Sequence, residues 1–89
     1  MKNKSLRLDI GGPKGNAFYI FGNVRSLLGH DLKETAKEII EEMMSGDYNN
    51  VLRIFNERFP MVELYADREL PGVDKENYTI DENPDIIEL

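Results

Sequence analysis

Cysteine is missing from this chain of 89 residues, and histidine occurs once. Without cysteine, no disulfide can brace the fold and no thiolate can hold a metal ion. The hydrophobic residues, 40% of the chain, must stabilise it alone. A chain this short buries roughly 60–65% of the surface it exposes when unfolded, so one modest core is expected. Long apolar runs are also missing. The longest, residues 17–21, falls far short of the ~20 residues that cross a bilayer. The start, Met1 to Ser5, is basic, but no apolar segment follows it as in a secretory signal. A cytoplasmic protein with no membrane partner is the expectation.

Charge of one sign predominates. Seventeen acids face eleven Lys/Arg, for a net charge of −6. The excess is uneven. Residues 1–30 hold five bases and one acid, whereas residues 31–89 hold six bases and sixteen acids. Phosphate backbones repel an acidic chain, which disfavours nucleic acid as a partner.

The local patterns divide the chain into short elements. Residues 6–10 alternate apolar and polar, as a half-buried strand does, with Leu6, Leu8 and Ile10 inward. Residues 11–15 contain three glycines and a proline and form a turn. Asn16 is a suitable N-cap for a helix whose stripe is Ala17, Ile20, Phe21, Val24, Leu27 and Leu28, with Gly29 as its stop. The rival is a hairpin turning at Gly22-Asn23; the stripe's continuation to Leu28 favours the helix. Asp31 and Glu34 have capping-box spacing for a second helix that buries Leu32, Ala36, Ile39, Ile40 and Met43 and ends at Gly46. Asp47 caps a third helix, with a face of Tyr48, Val51, Leu52, Phe55 and Phe59, ended by Pro60. Residues 61–65 alternate again as a strand.

These elements predict an α+β fold: a three-helix core with a small two-stranded sheet of residues 6–10 and 62–65. Residues 1–66 form the globular domain. Residues 67–89, with eight acids and two bases, form an acidic C-terminal extension, partly disordered or packed along the domain.

Candidate chemistry is sparse. The turn at Gly12, Lys14, Gly15 and Asn16 has the layout of an anion site: a strand, a glycine-rich turn, then a helix start. Its spacing matches neither the P-loop nor the dinucleotide fingerprint, and a tight strand-to-helix turn accounts for the same residues. His30, between Gly29 and Asp31, reads as a junction residue without a catalytic partner. Glu38, Glu41 and Glu42 read as a solvated helix face, so no metal or cofactor is expected. The phenylalanines and methionines read mainly as core. Yet residues 17–21 carry too much apolar surface for one buried face. Phe18 and Tyr19, with Ile86, Ile87 and Leu89 of the tail, are candidates for a contact surface with a protein partner or a second copy.

The stretch Gly15-Asn16-Ala17-Phe18, then Met44-Ser45-Gly46-Asp47-Tyr48, Val51-Leu52 and Phe55, resembles a family of small uncharacterised proteins of bacteria and their phages. The resemblance spans about residues 6–59. It implies a helix starting at Asn16 and a bacterial or mobile-element setting, and it supplies no catalytic residues. The function expected is therefore a non-enzymatic protein-protein interaction module. The alternatives are a small anionic-ligand or nucleotide-binding protein using residues 11–16, and an acidic mimic of nucleic acid.

Overall fold

The structure, a computed structural model, describes residues 6–81. Strand β1 (Leu6–Asp9) leads through a 3-10 turn at Pro13–Gly15 into helix α1 (Ala17–Leu28). Helices α2 (Lys33–Met44) and α3 (Tyr48–Arg58) follow, then strands β2 (Val62–Ala66) and β3 (Thr79–Ile80). The fold is α+β: three helices and a small three-stranded parallel sheet in the order β1-β2-β3.

Leu6 pairs with Val62 and Asp9 with Tyr65 in β1 and β2, so the expected pairing of the two segments is present. Parallel neighbours cannot be joined by a hairpin and need a crossover. The three helices provide it. Their buried residues, including Ile20, Val24, Ile39, Met43, Leu52 and Phe55, form one core with Leu8, Val62, Leu64 and Ala66 of the sheet.

Two helix starts match their sequence signals. The Asn16 side chain accepts from Phe18 N at 2.7 Å, and that of Asp47 accepts from Asn50 N at 3.1 Å. Residues 17–28 are helical, so Gly22-Asn23 is not a hairpin turn. Gly29 follows with φ +86°, the left-handed region that suits glycine.

The second helix starts differently from the expectation. Residues His30–Leu32 form a 3-10 turn, and α2 begins at Lys33 with no side-chain cap. Asp31 therefore caps nothing, because the turn takes the chain past the geometry a capping box needs. Leu32 is exposed for the same reason. Ile54, left out of the expected α3 face, is buried. Among the residues read mainly as core, Phe18, Met44 and Met61 are exposed, whereas Phe21, Met43, Phe55 and Phe59 are buried.

The expected two-stranded sheet is a correction. Tyr65 and Ala66 pair in parallel with Thr79 and Ile80, which adds a third strand from the segment assigned to the acidic tail. Side chains of α3 hold the connection to that strand. Asn49 bonds Gly72 O at 3.1 Å and accepts from Asp74 N at 2.8 Å, and Asn56 bonds Asn77 O at 2.8 Å. Tyr78 is buried, and its hydroxyl accepts from Leu70 N at 2.7 Å. Polar residues can thus form packed structure here because their backbone groups find partners on α3. Leu70, Val73 and Tyr78 pack against the core, and residues 82–89 of the acidic extension lie outside the described residues.

Candidate functional site

The glycine-rich turn joins β1 to α1. Gly15 N donates to Gly12 O at 2.9 Å and Asn16 N to Pro13 O at 3.2 Å. Gly11 N donates to the Asp9 carboxylate at 2.8 Å, and Phe18 N to Asn16 Oδ1. An anion site needs free amides, and these four are engaged. The Asp9 carboxylate also places negative charge against the turn. Lys14 is half-buried and has an interaction partner. Gly12 and Asn16 are exposed. Gly15 is buried where a Cβ would lie 2.2 Å from Ile10 O, so only glycine fits without displacing backbone. The Tyr48 hydroxyl donates to Gly15 O and ties α3 to the turn. Burial pushes the Tyr48 phenol above its ordinary pKa.

The start of α1 presents apolar surface. Phe18 is 78% exposed and Tyr19 39%, while Ile20 and Phe21 point into the core. The Phe18 ring stands edge-on to Phe21, with centroids 5.8 Å apart. Ile86, Ile87 and Leu89, the other candidates for this surface, lie outside the described residues.

A third feature has no signal in the sequence. Gly29 and the short 3-10 turn send the chain back, so that α2 packs along α1. This return sets Arg25, from the last turn of α1, beside His30, Lys33 and Lys37. With Gly29, Ile40 and Glu41 they line an open groove of about 460 Å³. Lys33 and Lys37 sit four residues apart and share a helix face. In the sequence they are polar positions between the buried residues of α2, and no local signal places Arg25 opposite them.

The groove differs from the rest of the surface in its pairing. Arg7, Arg53, Arg58, Arg68 and Lys75 each hold a carboxylate within 3.2 Å. Among the described residues, Arg25, Lys33 and Lys37 hold none, and all three line the groove. A second cleft, of about 510 Å³ between α3 and the segment leading to β3, contains Arg53, which Asn50 and Glu57 already hold. Among the described residues, no group of three His, Asp or Glu could hold a metal ion. No helix there is long and apolar enough to cross a membrane.

No family model matches the chain, and no curated protein or solved structure matches it. The family resemblance around Asn16 and Asp47 therefore rests on those residues alone.

Proposed function

We propose that this chain is a non-enzymatic protein-protein interaction module that works in the cytoplasm through the exposed start of α1. One observation carries this reading. Phe18 leaves 78% of its surface in water although its helix is anchored by the buried neighbours Ile20 and Phe21. A large aromatic held rigidly on a helix is a favourable anchor, because little conformational freedom is lost when a partner covers it. Tyr19 adds an amphipathic neighbour suited to an interface rim. The bacterial or phage setting implied by the Gly-Asn-Ala-Phe and Ser-Gly-Asp-Tyr motifs belongs to the same proposal.

The partner is another protein or a second copy, and the second copy is directly measurable. Sedimentation velocity on the full chain should show reversible association between about 10 µM and 1 mM, the range of weak interfaces. Phe18→Asp should abolish it and leave the circular dichroism spectrum unchanged. A wild-type chain that stays monomeric, indistinguishable from Phe18→Asp, rules out self-association.

A further inference from the structure

We propose that the groove between the end of α1 and the outer face of α2 binds a small phosphorylated ligand with at least two phosphate charges, held by Arg25, Lys33 and Lys37. This site is separate from the Phe18 surface and goes beyond the interaction reading.

Charge pairing is the first argument. In a chain with net charge −6, cations have many carboxylates to draw on. Of the nine described bases, five hold a carboxylate and Lys14 has a partner of its own, yet Arg25, Lys33 and Lys37, which have none, gather on a single groove. Lys33 and Lys37 stand four residues apart on the face of α2 that lines the groove, with Glu41 one turn further on.

Size and chemistry give the second argument. A volume of about 460 Å³ lies in the small-molecule range. The Arg25 guanidinium offers a planar fork that can meet two phosphate oxygens, and the two lysines offer point charges. His30 adds ring nitrogens, and Ile40 gives an apolar patch for an organic part. A nucleic-acid backbone is disfavoured because the protein as a whole repels it. Glu41 is the one acid lining the groove, and it makes the charge argument testable in both directions.

The test is a titration of the full chain with sodium pyrophosphate at low salt, followed by amide chemical shifts. Saturable shifts centred on Arg25, His30, Lys33 and Lys37 are expected, with Kd below about 1 mM. Lys33→Gln with Lys37→Gln should weaken binding at least about tenfold, while Arg53→Gln with Lys75→Gln should leave it unchanged. Glu41→Gln should tighten it, because it removes the negative charge facing the ligand. A nucleoside diphosphate should bind as well or better: better binding assigns Ile40 to the organic part, and equal binding assigns the site to the diphosphate alone. The proposal is overturned if pyrophosphate gives no saturable shift up to about 10 mM. It is equally overturned if the Lys33/Lys37 variant binds like wild type, if Glu41→Gln weakens binding, or if only a poly-glutamate peptide occupies the groove.

Discussion

The guanidinium of Arg7 lies 4.3 Å from the centroid of the Tyr65 ring, on the sheet face opposite the helices. Tyr65 has no exposed surface, yet it stands outside the main hydrophobic cluster. Arg7 also approaches Glu63 at 2.8 Å and Asp81 at 3.0 Å. The Asp81 contact is a hydrogen bond, whereas the Nε–H toward Glu63 is off the line of one. One cation from β1 thereby links both other strands. It contacts Glu63 and Tyr65 on β2 and Asp81 just past β3.

Replacing Arg7 should therefore loosen the whole sheet. Arg7→Ala removes the charge set against the part-buried Glu63 and Asp81 and the stacking on Tyr65. The expected loss is about 2–3 kcal/mol. Arg7→Lys should recover part of it, because an ammonium keeps the charge and loses the planar contact. Urea unfolding measures both. An Arg7→Ala loss under about 0.5 kcal/mol would show that the clamp is only a surface ion pair.

Gly15 and Gly12 sit three residues apart in one turn and should respond differently to alanine. At Gly15 the new Cβ would overlap Ile10 O, and β1 or the turn must move. At Gly12 nothing lies within 4 Å, and the backbone is extended. Gly15→Ala should cost about 3 kcal/mol or more, and Gly12→Ala less than about 1 kcal/mol. Equal midpoints in thermal melts would contradict the close approach at Gly15.

Tyr48 links stability to alkaline pH. Burial raises the pKa of its phenol in the folded state, so the folded protein keeps that proton to higher pH than the unfolded chain. The stability from this group is complete below the unfolded value of about 10 and is lost as pH rises through the higher folded value. Tyr48→Phe should cost about 1 kcal/mol at neutral pH, through loss of the hydrogen bond to Gly15 O. It should also flatten the decline in stability above pH ~10. Urea midpoints for both proteins, from neutral pH to ~11, check the sign. A decline of the same slope in both would assign it to other groups.

Tyr78 tests the packing of the connection to β3. Tyr78→Phe keeps the buried ring but leaves Leu70 N without its acceptor. A loss of about 1–2 kcal/mol is expected. Faster hydrogen exchange at Leu70 and in residues 70–80 should accompany it, with the helices unaffected. Unchanged exchange there would mean that the Asn49 and Asn56 contacts alone hold the segment.

Asn16, Gly29 and Asp47 were legible from the sequence because a cap or a stop involves groups within about four residues of one another. The buried stripes of α1, α2 and α3 were legible for the same reason: helical spacing is a local property. The β1–β2 pairing could be expected from two alternating segments that have few other ways to bury one face. What lay beyond reach depends on groups distant in the chain. Thr79 and Ile80 are strand residues because β2 offers a free edge and Asn49 and Asn56 of α3 hold the approach. The capping box at Asp31 has the right letters, yet a turn led by Gly29 displaces it. Lys33 and Lys37 look like ordinary wet-face residues until α1 returns Arg25 to their side. Short-range hydrogen bonding and periodicity set the helices. The third strand, the Arg7 clamp and the cationic groove arise only when the packed core brings residues eight to seventy-four positions apart into contact.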